Sequence, residues 1–145
     1  MGIRRLENVA IVVDDLAAVV AFFVDLGLTE VGAGTVEGDW VGDVVGLDGV
    51  RSQIVMLEPP GGGTQLEITK YHQPEALPGD PQMPPNTLGL HRVAFSVDDI
   101  DESVAVARRH GAEPLRTIAR FEDAYRLCYL RGPEGIIVML AEPLA

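Results

Sequence analysis

Cysteine is almost absent: Cys128 stands alone in 145 residues, so the chain cannot close a disulfide within itself. A lone thiol with no partner points to a reducing setting, and the cytoplasm is the expected location. Long apolar runs are missing too. No stretch approaches the roughly 20 residues that cross a bilayer, although 47% of the residues are hydrophobic. The opening MGIRRLEN lacks the apolar core of a secretory signal. Positive charge is scarce, with 11 Lys and Arg against 22 Asp and Glu, a net charge of −11. That balance disfavours nucleic acid and anionic membrane surfaces as partners. It would suit cationic small molecules, and it also serves solubility alone. There is no Ser–His–Asp or Cys–His pairing to suggest a nucleophile. Gly61-Gly62-Gly63 is followed by no helix and no Lys-Ser/Thr, which excludes a phosphate loop and leaves a hairpin turn.

What the chain does have is a repeat. Asn8–Val31 recurs 84 residues later as Arg92–Leu115, with eight of 24 positions identical and no gap. Val9/Val93, Ala10/Ala94, Val13/Val97, Asp14/Asp98, Asp15/Asp99 and Gly27/Gly111 are among them. Each copy runs as an alternating strand, an Asp-Asp pair able to cap a helix, an apolar stretch at helical spacing, and a Gly stop. In the first copy Leu16, Val19, Val20, Phe23 and Leu26 form the helical stripe. Strands are expected near 30–34, 53–58 and 64–70, giving a βαβββ plan. The second copy repeats it with a strand at 92–97, a helix at 100–110, and strands near 114–119, 125–131 and 136–141, the last hairpin turning at Pro133-Glu134-Gly135. Between them, five prolines in 72–89 read as an extended linker that carries His72. The fold class is α+β: a first module over 1–71, a linker over 72–90 and a second module over 91–145. His110, at a helix end, suits the C-terminal carbonyls, and Cys128 is a small core residue.

Strand alternation assigns faces. Val9, Ile11 and Val13, Leu66 and Ile68, Val93, Phe95 and Val97, and Val138 and Leu140 make one face that is large and apolar. The other is small or polar and carries one distinctive residue per strand: Asn8, Glu67, Arg92 and Met139. Trp40 lies among Asp39, Asp43 and Asp48 in the long segment 37–48, where it could stack on a planar or cationic ligand or simply pack the loop. Phe121, Tyr125 and Tyr129 surround the last strands, their faces left open by the break at Glu122-Asp123.

The paired V-A-[IF]-x-V-D-D openings, the Leu66-Glu67-Ile68 strand and Gly132-Pro133-Glu134-Gly135 before Val138-Met139-Leu140 resemble the vicinal oxygen chelate superfamily. That group includes glyoxalase I, extradiol dioxygenases, methylmalonyl-CoA epimerase and the bleomycin-resistance proteins. The resemblance covers nearly the whole chain. It implies two βαβββ modules whose mixed sheet curls into a cup with helices outside, and a homodimer. Metal-dependent members set up to four ligands in the cup, and their places fall on Asn8, Glu67, Arg92 and Met139. Glu67 fits and Asn8 could coordinate through its amide oxygen. Met139 is a soft thioether, and Arg92 brings a permanent positive charge to the position of a cation. A Glu67–Arg92 pair joining the modules would then replace the metal. A one-residue shift would restore a ligand at His91. Alternation puts His91 with Val93 and Phe95, and a bulge beside Gly89 would reverse that.

The resemblance therefore implies a metal-free binding protein of the bleomycin-resistance kind, with no cofactor, that sequesters a bulky or aromatic small molecule such as an antibiotic. Its ligand-binding residues would be Asn8, Trp40, Glu67, Arg92, Tyr125 and Met139, with Trp40 over the mouth. Two alternatives stand beside it. One is a lyase, isomerase or dioxygenase holding Ni, Zn, Mn or Fe on Asn8, Glu67 and His91. The other is a metal-free enzyme with Glu67 as base and Arg92 steadying an oxyanion.

Overall fold

The computed structural model describes residues 1–144 and resolves two βαβββ units, Met1–Pro78 and Gly79–Ala145. In the first, β1 (Asn8–Val12) leads to α1 (Leu16–Leu26), β2 (Thr29–Glu37), α2 (Asp39–Val45), β3 (Arg51–Glu58) and β4 (Gln65–Gln73). Its mixed sheet has the order β1-β4-β3-β2, with β1 parallel to β4 and the other neighbours antiparallel. In the second, β5 (Arg92–Ser96) and α3 (Ile100–Arg108) precede β6 (Glu113–Pro114), β7 (Ala119–Phe121), β8 (Tyr125–Arg131) and β9 (Ile137–Pro143). The order β5-β9-β8-β6 repeats the plan, with β7 also on β8.

The Asp-Asp pairs do what their side chains allow. Asp15 accepts a hydrogen bond from the Ala18 amide at 3.0 Å, and Asp99 from the Glu102 amide at 3.1 Å, each satisfying a helix-start donor. Gly27, at φ 125°, ends α1 in a conformation that a side chain would strain. One face of each sheet is covered by its own helix. Val19, Phe22, Phe23, Leu57, Leu66 and Ile68 close the first core; Ile100, Val104, Leu130, Val138 and Leu140 close the second. Phe22 was not in the expected helical stripe, yet its ring is fully buried and meets Phe23 edge-on, centroids 5.0 Å apart.

Three expectations need correction. The segment before β3 is not all loop: residues 39–45 form α2, entered from Gly38 and closed by Gly46 in the left-handed region. The expected strand 114–119 is two strands, because four residues lie between Pro114 and Ala119 where only two lie between their partners Leu130 and Leu127 on β8, so the excess leaves the ladder. His72 is not in the linker. It belongs to β4, and its Nε2 lies 2.7 Å from Gln53 Oε1 on β3.

Candidate functional site

The register settles what alternation proposed. In the first unit Asn8 stands opposite Gln65, and Ala10 and Met56 flank Glu67 on either side, so Asn8, Glu67 and Met56 share the face turned away from α1. Thr69, two residues along β4, is 5% exposed and donates from Oγ1 to Glu67 Oε2 at 2.8 Å. Gln65 donates to Glu58 Oε2 at 3.1 Å. This face of the first unit is acidic and hydrogen-bonded within its own sheet.

In the second unit β5, β9 and β8 lie side by side. Arg92 faces Ile137, Ala94 faces Met139, and Met139 faces Tyr129. Arg92, Met139, Tyr129, Leu127 and Tyr125 therefore share one face. Arg92 Nη1 donates to the Tyr129 phenol oxygen at 2.6 Å, and the guanidinium carbon stands 5.2 Å from the Tyr129 ring centroid. The same Nη1 is 3.4 Å from His91 Nε2. A guanidinium only donates, so the His91 nitrogen facing it accepts. This face is less polar than alternation suggested: Ile137 is buried and Leu127 half-buried beside Met139.

The six expected ligand-binding residues thus fall into separate groups. Asn8 and Glu67 are neighbours in the first unit; Arg92 and Met139 are neighbours in the second. Tyr125 is on the Arg92 face but four residues along β8, opposite Phe121 and Pro143. Trp40 is 62% exposed on α2, which packs on β2, the strand at the other edge of the sheet from β1. Tyr129, named with Phe121 and Tyr125 but with its face left open, takes the face of Met139, and Thr69, given no role by the sequence, shares the parity of Glu67. His91 lies just before β5, so strand alternation does not govern it, and its ring reaches the Tyr129 side at 6.4 Å between centroids.

Comparison with known proteins decides the family. The family model for the Glyoxalase/Bleomycin resistance protein/Dioxygenase superfamily matches residues 5–140. The chain belongs to that superfamily. A solved glyoxalase family protein from Bacillus cereus is 40% identical, over 100% of this chain and 97% of its own, at TM-score 0.96. The superfamily fold also appears in TnmS3, an antibiotic-binding protein from Streptomyces sp. CB03234, at 19% identity, 99% and 98% coverage and TM-score 0.62. The trypanothione-dependent glyoxalase I of Leishmania major shares it at 21% identity, 96% and 86% coverage and TM-score 0.65.

Metal-dependent superfamily members raise the question of an ion. The second unit does not fit one. Its two residues at the family's ligand positions are Met139, a thioether, and Arg92, whose charge is fixed in place by Tyr129. A divalent ion there would meet a guanidinium held against it, and no step through a metal is derived.

Proposed function

We propose that this superfamily member binds a bulky or aromatic small molecule without a metal ion, in the manner of the bleomycin-resistance proteins. One observation carries the reading: Arg92, at a position where metal-dependent relatives place a ligand, is held by a 2.6 Å hydrogen bond to Tyr129 beside Met139. The ligand would lie against Arg92, Tyr129 and Met139 in the second unit. Met139 and Tyr129 suit an aromatic surface, since thioethers and rings pack favourably and adapt to shape. The antibiotic-binding neighbour makes an antibiotic a reasonable ligand to try first. The reading includes a homodimer and a cytoplasmic setting, the former by analogy with the family alone. No helix among the described residues is long and apolar enough to cross a membrane.

The second reading is a metal-dependent lyase, isomerase or dioxygenase on Asn8, Glu67 and His91. It draws on the position of the His91 ring, which faces Tyr129 and Arg92. Against it, His91 Nε2 already accepts from Arg92. Elemental analysis decides between them. The protein is purified without chelator or a metal-binding tag, and Ni, Zn, Mn, Fe and Co are quantified per chain. The first reading expects less than about a tenth of an equivalent and no thermal shift on adding the ions. A content near one equivalent would replace it with the second.

A further inference from the structure

We infer that the second unit recognises an anionic group on its ligand, a carboxylate or a phosphate, through Arg92 and Tyr129. The inference rests on the small-molecule reading above and names the chemistry of the molecule held. In register, the face shared by β5, β9 and β8 carries Arg92, Ala94 and Ser96, then Ile137, Met139 and Ala141, then Tyr125, Leu127, Tyr129 and Arg131. There is no carboxylate in that set, in a chain with 22 acidic residues. Elsewhere in the unit Arg108 pairs with Glu113, Arg120 with Asp123 and Arg126 with Asp101, while Arg109 and Arg116 are exposed but lie outside these three strands. Arg131, on the same face as Arg92, spends its guanidinium on the backbone carbonyls of Pro81, Met83 and Gly135.

Arg92 differs from these paired arginines and, unlike Arg109 and Arg116, stands on the shared strand face. It is exposed, its contacts use Nη1, and they go to a phenol and an imidazole, neither of them an anion. That leaves Nη2 and Nε, the fork that meets a carboxylate or phosphate with two parallel hydrogen bonds. Tyr129 adds to the fork. Its oxygen accepts from Arg92 and so keeps its own proton to donate, which places a third donor at the same point. Leu127 and Met139, half-buried beside the cation, give the organic body of the ligand an apolar surface. The net charge of −11 repels anions at long range, but salt screens that field over about 8 Å at physiological ionic strength. Donors in hydrogen-bond contact are screened far less and decide the outcome.

The test uses the full chain, stripped of metal with chelator, and two probes of equal shape, 2-naphthoate and 2-naphthamide. Affinities are read by calorimetry, and the Arg92 Nε–H resonance by NMR with each probe and with inorganic phosphate. Naphthoate should bind at least about tenfold more tightly than naphthamide, as expected for a charge-assisted fork. Arg92→Gln should abolish that preference, Arg92→Lys should keep part of it, and Tyr129→Phe should reduce it. Phosphate that moves the Arg92 resonance and displaces naphthoate would assign the site to oxyanions in general. A resonance moved by naphthoate alone would assign it to aromatic carboxylates. Equal affinities for the two probes, a preference that survives Arg92→Gln, or an Arg92 resonance unmoved by either anion would each overturn the inference. A metal content near one equivalent would sink the metal-free reading without deciding this one, because the probes are measured on stripped protein.

Discussion

Arg92 on β5 reaches over the whole of β9 to donate to Tyr129 on β8, 2.6 Å from nitrogen to phenol oxygen. Three strands are thereby tied on the face opposite the α3 core, and the cation is given one position instead of the many that an exposed arginine samples. Holding a rotamer-rich side chain this way lowers the entropy cost of binding a ligand with it. The relationship matters more for binding than for folding, because the pair lies at the surface and water competes for both groups.

Tyr129→Phe should therefore cost little stability, about 1 kcal/mol or less by urea unfolding, with an unchanged m-value. Arg92→Ala should behave similarly. A loss of several kcal/mol for either variant would show that the bond is a buried structural tie and not a positioned surface group.

How much of this was readable beforehand follows from periodicity. The strand–Asp-Asp–helix–Gly repeat announced β1–α1 and β5–α3 because alternation, capping and a glycine stop all agreed. The placement of Asn8, Glu67, Arg92 and Met139 on faces away from the helices was readable for the same reason. α2 was not: seven residues containing Asp39, Gly42 and Asp43, with Val41 alone buried, show no apolar period. The partner of Arg92 was hidden as well. Tyr129 is 37 residues away, and only the β8–β9 register, which pairs it with Met139, assigns its face. His91 precedes the first residue of β5, so alternation does not assign its face.

Gly135 and Gly61 offer a controlled comparison of two costs. Both have positive φ, 85° and 83°. A Cβ on Gly61 would meet nothing within 4 Å, whereas one on Gly135 would fall 2.3 Å from the carbonyl oxygen of Pro81 and 2.5 Å from its Cα. Gly61→Ala should lose about 1 kcal/mol, the left-handed strain alone. Gly135→Ala should lose more, about 2–3 kcal/mol, because the Pro81 backbone must move as well. That movement would strain the hydrogen bonds from Arg131 to Pro81 and Met83. Faster cleavage within 79–90 by limited proteolysis should accompany the stability loss. Equal effects of the two variants would mean that the contact yields freely.

Cys128 is 4% exposed on β8, and burial raises its thiol above the usual range. The thiolate is the reactive form, so the native protein at pH 8 should resist a disulfide reagent that labels it at once in urea. The raised value also sets a direction for stability. The unfolded chain releases this proton first as pH rises, so stability should decline above about pH 8.5, the ordinary thiol value, and less so in Cys128→Ala. Rapid native labelling would show that β8 opens far more readily than its packing suggests.

Asp101 in the first turn of α3 accepts two hydrogen bonds from Arg126 on β8, 2.8 Å to Oδ2 and 3.1 Å to Oδ1. Those bonds, with the guanidinium charge behind them, hold its carboxyl below the usual range. A depressed carboxylate stabilises the folded state above the unfolded value of about 3.9, and the contribution disappears as pH falls through the lower, folded value. The wild type should therefore exceed Asp101→Asn in urea midpoint near neutral pH, with the gap narrowing as the solution is acidified below about pH 4. Both groups are solvated, so the gap should also shrink on adding salt at neutral pH. A gap that stays constant through acidification would mean that Asp101 helps α3 by its position in the first turn, through hydrogen bonds an asparagine can also make, and not by its charge.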